Sequence, residues 1–380
     1  MFRGGIPIGK AFGISLRLHY SWFFIFALVT WSLAAVYFPT TNPEWSMLLK
    51  IGAGLVASVL FFGSVLFHEL MHSLVSLRQG TQIQSITLFF LGGVSEMTGE
   101  PKTAGDEFRM AAAGPFSSLV LGGVFLGIFF VLRSATSQAA QFGAAISRYL
   151  GLINILLGVF NLIPGFPLDG GRILRSLIWW RSRNIQSATK IASNIGRAIG
   201  FIFIFGGIWW AFTGSGNFFN GIWLVLIGWF LETAASGSYR QLVLQDMLKG
   251  HTASEVMSRD CMVVPPDITV ERLVNEHILS SGRRCFPVVS GDRTEGLVTL
   301  SNVRSIPRDA RKTTLIREAM TPLSKVKSVS PNEDLSTILQ ILSENDINQV
   351  PVVWENKVVG IVARDNLINF INTRNELQRR

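Results

Sequence analysis

The sequence predicts a polytopic α-helical membrane domain of about six spans, followed by an α+β domain built from a tandem repeat. Three observations carry that prediction. Of 380 residues, 48% are hydrophobic and only 16% charged, against about 25% charged in ordinary globular chains. The deficit is confined to the first 236 residues, where five charge-poor stretches crowd together. From residue 247 onward the composition is that of a soluble domain, and it repeats with a period near 64. A wholly soluble enzyme and a single-span receptor are both excluded.

Residues 6–18 alternate (Ile6, Ile8, then Phe12, Ile14, Leu16, Leu18), which reads as a short hairpin at the membrane surface. Charge-free runs then mark the spans. Residues 20–43 lie between His19 and Glu44, 110–132 between Arg109 and Arg133, and 149–168 between Arg148 and Asp169. Each is long enough to cross a hydrocarbon core of about 30 Å as helix. Between Lys50 and Arg78 the only ionisable residues are His68, Glu69 and His72, so 51–77 is a span with polar groups inside it. Residues 83–97, IQSITLFFLGGVSEM, read as strand, glycine turn and strand, or equally as a re-entrant packing loop. A free strand edge there would suit capture of an extended peptide. The last run, 198–231, is broken by TGSGN at 213–217 into two helices, about 189–212 and 217–236. Gly123 and Gly127 read as packing positions, and Trp180, Trp209, Trp210, Trp223 and Trp229 as interface or bundle residues.

Basic residues set the orientation. With the N-terminus inside, the inner segments hold Arg3, Lys10, Arg17, Arg78, Lys102, Arg109, Arg172, Arg175, Arg181, Arg183, Lys190 and Arg240; the outer ones hold only Lys50, Arg133 and Arg148. Both termini are therefore expected in the cytoplasm of a multi-pass protein of the cell membrane. On this reading Arg172 and Arg175 are topology signals. The net charge of +9 follows from topology and does not call for a nucleic-acid partner. No cleavable signal peptide is expected at the start, MFRGGIPIGKAFGISLRLHYS. Cys261 and Cys285 make no disulfide framework, which fits a reduced, cytosolic C-terminal half.

The chemistry lies in His68-Glu69-Leu70-Met71-His72. Four helical residues turn about 400°, so both imidazoles share one face, within reach of one metal ion, with Glu69 about 100° away and able to poise a water. Zinc suits such a set, and ionisable groups inside a span are costly and usually functional. A third ligand is needed. His19, His251 and His277 are the remaining histidines, the latter two in the soluble half. Asp169 is the better candidate: it leaves a span in NLIPGFPLDGG (161–171), whose prolines and glycines let the backbone turn toward another helix. Irregular backbone at that depth survives only when buried in protein or lining a water cavity.

HELMH in one span, with NLIPGFPLDGG at a later one, resembles the site-2 protease family of intramembrane zinc metalloproteases. AAAGPFSSL (111–119), LGGV (91–94) and GISLRLHYSWF (13–23) are similar to segments of that family, and the resemblance covers about residues 1–235. It implies that His68, His72 and Asp169 bind one zinc ion, that Glu69 is the catalytic acid/base and that the substrate is a membrane-spanning protein. Asn161 would position the substrate backbone or the oxyanion. Where the family carries an Asn shortly after Gly-Pro, this chain has Ser117 and Ser118.

In the second half Met257 and Met320, Pro266 and Pro331, and Pro287 and Pro351 recur 63 to 65 residues apart. Phe286-Pro-Val-Val289 matches Val350-Pro-Val-Val353, and Gly296-Leu-Val298 matches Gly360-Ile-Val362. The pattern resembles a tandem pair of CBS domains, at 251–307 and 314–373, after a linker at 241–250. Such pairs imply an adenosine nucleotide between the copies, with Thr299, Asn302 and Asn366 at the ligand positions and Ala363 opposite Thr299; the alternative is a purely dimerising module, giving a homodimer. The expectation for the whole chain is an intramembrane zinc endopeptidase modulated by CBS domains. The competing expectation is a CBS-regulated transporter or channel, which needs ligands but no glutamate beside them.

Overall fold

The computed structural model describes residues 5–81, 83–90, 92–97, 101–213, 218–291, 293–345, 347–355 and 357–378. The chain divides into two compact units, Met1–Arg240 and Gln241–Arg380.

In the first unit, β1 (Gly5–Ala11) and β2 (Ile14–His19) form the expected hairpin. The first span, Tyr20–Thr41, consists of α1 (Tyr20–Ser32), a π-helical turn (Leu33–Tyr37) and α2 (Phe38–Thr41). Then come α3 (Met47–Arg78), β3 (Ile83–Phe89), β4 (Gly92–Met97), α4 (Ala104–Leu132) and α5 (Gln138–Asn161). They are followed by α6 (Asp169–Ser182), α7 (Ile185–Thr213) and α8 (Phe218–Leu248). Among the described residues six helices are long and apolar enough to cross a membrane. Residues 214–217, most of the expected turn TGSGN, lie outside the described residues, as do Arg3 and Leu91.

One span differs in register from the expectation. The charge-free run 149–168 is not a helix throughout: α5 runs Gln138–Asn161, starting at Ser137, whose side chain accepts a bond from Ala140 N–H. Residues 162–168 are an irregular segment in which Gly165 and Phe166 are buried, Phe166 only 7% exposed, while Leu162 and Pro164 are exposed. Freedom from charge is therefore shared by spans and by irregular segments between them. The expected packing glycines are also displaced. Gly123 and Gly127 face open space, and it is Gly122 that a Cβ would drive into Ile155 and the Gly151 carbonyl of α5. Apolar side chains such as Phe24, Leu48, Val131, Trp209 and Phe212 stand exposed on the outer helix faces, as a lipid-facing surface requires.

The four strands form one sheet in the order β1-β2-β3-β4, with β2 and β3 parallel (Ser15 opposite Ser85, Leu18 opposite Leu88) and the other pairs antiparallel. Ile14, Ile83 and Ile86 on the sheet pack against Leu66, Leu70 and Leu77 of α3. The sheet therefore lies along the end of α3 that carries His68 to His72, and β4 is an edge strand. Polar side chains tie α3 to its neighbours, Thr30 Oγ1–H donating to Ser58 at 2.9 Å and Asn154 Nδ2–H to Ser64 at 3.2 Å, the kind of interhelical bond that replaces hydrophobic driving force in lipid.

In the second unit, α8 continues helically through Leu248, so most of the segment expected as a linker is helix. The strands are β5 (Cys285–Ser290), β6 (Arg293–Thr299) and β7 (Thr321–Pro322), then β8 (Gln349–Trp354) and β9 (Lys357–Ala363). Val264 bridges Val288 and Val329 bridges Val352, in the same parallel sense and 65 and 64 residues apart. The two copies are interlocked. Met257, from the start of the first repeat, packs its sulfur on Gly360 of the second, and Met320 packs on Gly296 of the first. Ala253 belongs to the core of Val329, Leu335 and Val362, while Ile316 belongs to that of Val264, Phe286 and Val298. Burial pushes the Cys285 thiol up to about 12 and that of Cys261 upward, so both stay protonated and poorly reactive at neutral pH.

Because each repeat completes its core with the other's leading segment, residues 253–309 or 316–373 expressed alone should not unfold cooperatively, whereas 241–380 should melt in one calorimetric transition. Two independent transitions for the pair would contradict the interlocking.

Candidate metal centre

Helix α3 places His68 and His72 one turn apart, both buried. Their Nε2 atoms lie 3.1 Å apart. Asp169 Oδ2 lies 3.2 Å from His68 Nε2 and 3.1 Å from His72 Nε2. Among the described residues these three form the one group of His, Cys, Asp or Glu side chains whose ligand atoms converge. The separations approximate the edges of a tetrahedron, about 3.3 Å for metal–ligand bonds of 2.0–2.1 Å.

The outer nitrogens decide what the inner ones can do. His72 Nδ1 is 2.7 Å from the Met110 carbonyl, which only accepts, so Nδ1 carries the proton and Nε2 offers a lone pair. His68 Nδ1 bonds the Ser118 hydroxyl at 2.9 Å, which permits the same tautomer. With His68 in that tautomer, two lone pairs and a carboxylate oxygen face one another with no proton between them, an arrangement that a divalent cation satisfies. The donor set fits zinc.

Helix α4 supplies these supports from one face: Met110, Gly114 and Ser118 are successive fourth residues. A Cβ at Gly114 would lie 2.6 Å from His68 Nε2 and press on the His72 ring, so only glycine lets α4 approach the imidazoles. Asp169 arrives by a different device. It is the first residue of α6, reached through a loop with a cis Phe166–Pro167 bond. The loop is packed backbone to backbone: a Cβ at Gly171 would strike Gly165 and Phe166, and one at Gly196 of α7 would strike the Phe166 carbonyl. Phe166 N–H donates to the Ala192 carbonyl of α7 at 3.3 Å. The glycines and prolines of NLIPGFPLDGG thus let a chain segment replace helix at this depth.

Glu69 stands outside the converging set. Its Oε2 accepts a bond from Ser95 of β4 at 3.3 Å, and the Ser95 and Ser73 hydroxyls are also 3.3 Å apart. A Cβ at Gly93 would lie 2.9 Å from Glu69 Cδ, so glycine lets the edge strand approach the carboxylate. Asn161 ends α5 and donates through Nδ2 to Leu157 O of its own helix at 3.0 Å. His19 caps α1, accepting from Ser21 N–H, and His251 Nδ1 bonds Glu255; neither belongs to the cluster.

Several supporting residues have no clear mark in the sequence. The Met110 carbonyl leaves none at all. Ser118 was visible only as a departure from a family pattern, and the structure gives it the orienting of His68. Arg175, which reads as a topology signal, is buried and ion-paired with Glu107.

Thr299 and Asn302 line one cavity of about 570 Å³ in the second unit, and Asn366 with Ala363 lines another of about 570 Å³. The sequence had placed all of these at ligand positions; the structure divides them between two cavities. Asn302 Oδ1 accepts from Thr299 N–H at 2.9 Å, and Asn366 Oδ1 accepts from Ala363 N–H at 2.8 Å.

Comparison with known proteins agrees with this geometry. The model of peptidase family M50 matches residues 56–146 and 133–205, and that of the CBS domain matches 253–309 and 316–373. Rip3 of Mycobacterium tuberculosis is 32% identical over 97% of this chain and 93% of its own length. The protein sll0528 of Synechocystis is 31% identical over 97% and 96%, and the zinc metalloprotease MJ0392 of Methanocaldococcus jannaschii 30% identical over 97% and 96%. The chain belongs to peptidase family M50: it is a zinc metallopeptidase, an integral multi-pass membrane protein with a tandem CBS pair.

The orienting bonds generate a prediction. Ser118→Ala should weaken zinc affinity roughly 10-fold, within the usual range for such supports, as read by chelator competition, and Gly114→Val should abolish binding by wedging α4 off the imidazoles. Wild-type affinity in both variants would dissociate α4 from the site.

Proposed function

We propose that this member of peptidase family M50 cuts membrane-spanning protein substrates in regulated intramembrane proteolysis, with His68, His72 and Asp169 holding zinc and Glu69 acting as acid/base. The observation that carries the reading is the division of labour on α3: two imidazoles converge with Asp169 while Glu69, between them in sequence, stays out of the ligand set. A transport site would need no such glutamate.

Zinc, when bound, supplies Lewis-acid polarisation of the scissile carbonyl and acidifies a water molecule. Glu69 takes a proton from the attacking water and returns it to the leaving amine. Ser95, donating to Glu69 Oε2, holds the carboxylate while leaving its other oxygen free of that bond. A helical substrate hides its carbonyls in hydrogen bonds and must be unwound before attack. The free edge of β4, beside Glu69, offers backbone groups to an extended segment. On this reading Asn161, where α5 gives way to the Asp169 loop, contacts substrate backbone. The basic-residue asymmetry supports a cell-membrane protein with N-terminus and CBS pair in the cytoplasm.

The CBS pair is the regulatory part of this reading, and its first cavity is the better nucleotide site. That cavity is lined by Arg284, Arg304, Lys325 and Lys327 with no carboxylate. The second holds Asp260 and Asp365 beside its arginines, and Asp260 is already paired with Arg283. A phosphate-bearing adenosine ligand therefore meets uncompensated positive charge in the first and a partly neutralised lining in the second, which favours charge-assisted bonds in the first.

Two experiments test these statements. Glu69→Gln should retain about one zinc per chain and lose cleavage of a membrane-spanning reporter by at least about 100-fold, whereas Asp169→Ala should lose the zinc itself. A metal-free wild type, or undiminished cleavage by Glu69→Gln, would overturn the assignment and return the transporter to first place. Equilibrium dialysis of the full-length protein against AMP should show binding that falls at least about 10-fold in Lys325→Ala/Lys327→Ala and survives Asp365→Ala; the reverse pattern would move the ligand to the second cavity.

A further inference from the structure

Besides the two imidazoles, the buried charged side chains among the described residues are Glu107 of α4, 0% exposed, and Arg175 of α6, 7% exposed. Arg175 Nε–H donates to Glu107 Oε1 at 2.6 Å, and its Nη2 pairs with the same oxygen. Arg172 Nε lies 4.0 Å from that oxygen. Glu107 Oε2 is buried without a hydrogen-bond partner. The Arg175 guanidinium also lies over the Phe166 ring, 5.2 Å from its centroid.

Stability alone does not account for this pair. Desolvating two charges offsets much of their attraction, and apolar replacements of equal volume are often as stable. Its placement does account for it. Glu107 lies one turn before Met110, whose carbonyl orients His72. Arg175 lies under two turns beyond Asp169 on the helix that Asp169 begins. Phe166 belongs to the loop that delivers Asp169. One guanidinium thus joins the helix that orients the histidines, the loop that leads to the carboxylate and the helix that bears it.

We propose that the Glu107–Arg175 pair is a positioning device that holds Asp169 against the histidine pair and thereby sets zinc affinity. The inference rests on the reading of His68, His72 and Asp169 as zinc ligands. Neither residue touches the metal or the substrate; each acts through the ligand its element carries. The pair fixes the direction of approach of α6 because an ion pair sharing one carboxylate oxygen tolerates little sliding, whereas an apolar contact slides freely.

The test uses the full-length protein in detergent, with zinc affinity read by competition against a chromophoric chelator and ligand geometry by the visible spectrum of the Co2+-loaded form. The variants are Glu107→Gln, the near-isosteric neutral pair Glu107→Gln/Arg175→Met, and Arg175→Lys, which keeps the charge and removes the guanidinium fork. Thr30→Val, which deletes the α1–α3 hydrogen bond far from the site, controls for general loosening. Glu107→Gln and the neutral pair should lose zinc affinity about 10-fold or more and lose intensity in the Co2+ bands. The neutral pair should do so while melting near the wild-type temperature without metal, and Thr30→Val should change neither readout. If the neutral pair does not fold, Arg175→Lys carries the test, with a smaller loss of affinity and the same spectral change. Wild-type affinity and spectrum in the neutral pair or in Arg175→Lys would overturn the inference. A wild-type protein that takes up neither metal would instead overturn the ligand assignment, and the inference with it.

Discussion

Three electron-pair donors brought within 3.2 Å of one another organise the membrane unit. Nitrogens 3.1 Å apart and a carboxylate oxygen at 3.1 and 3.2 Å repel one another unless a cation lies between them. In a low-dielectric interior that repulsion is large. The surrounding elements therefore do two jobs. They fix the His72 tautomer through the Met110 carbonyl and accommodate the same tautomer of His68 through the Ser118 hydroxyl, and they hold the donors together. A site built this way selects a metal before any metal arrives.

Close approach is the second theme, and glycine is its instrument. At Gly114 a helix backs onto the imidazoles; at Gly93 a strand backs onto Glu69; at Gly171 and Gly196 loop and helix backbones meet. In each case a methyl group would occupy the space of a functional atom or of main chain. At these positions main chain rather than a side chain makes the close approach, contributing fixed carbonyl and N–H dipoles with no side-chain rotamers to order. Where the closing element carries a side chain instead, at Ser95 and Ser118, the chain is short and hydroxylated.

The fold and the convergence of His68, His72 and Asp169 were largely legible in the sequence, for identifiable reasons. Membrane spans must be free of charge over about 20 residues, so runs between His19 and Glu44 or Arg109 and Arg133 declare themselves. Two histidines at helical spacing in a span, and an Asp in a helix-breaking segment, violate that rule conspicuously. The same rule failed at 149–168, because an irregular segment can be as charge-free as a helix, and the true helix begins earlier and contains Arg148. The parallel pairing of β2 with β3 was not legible, since strand partners distant in sequence leave no local mark. Orienting groups were the hardest to see: a carbonyl has no identity in sequence, and Arg175 resembles any other basic residue beside a membrane until Glu107 is found against it.

The soluble unit shows a different limit on what a repeat reveals. Sequence periodicity delimits the copies by their similarity, but the copies exchange their leading segments, so the cohesive cores straddle the repeat boundary. Met257 on Gly360 and Met320 on Gly296 are the same contact made twice with the partners crossed. Such an exchange makes the two cavities equivalent in backbone while leaving their side chains free to diverge. They have diverged in charge: Arg284, Arg304, Lys325 and Lys327 line one without a carboxylate, whereas the other sets Asp260 and Asp365 against Arg259, Arg283 and Arg284. Two cavities of one architecture but unequal positive charge do not offer an anionic ligand the same site, so on the proposed reading such a ligand favours the first cavity and occupies the pair asymmetrically.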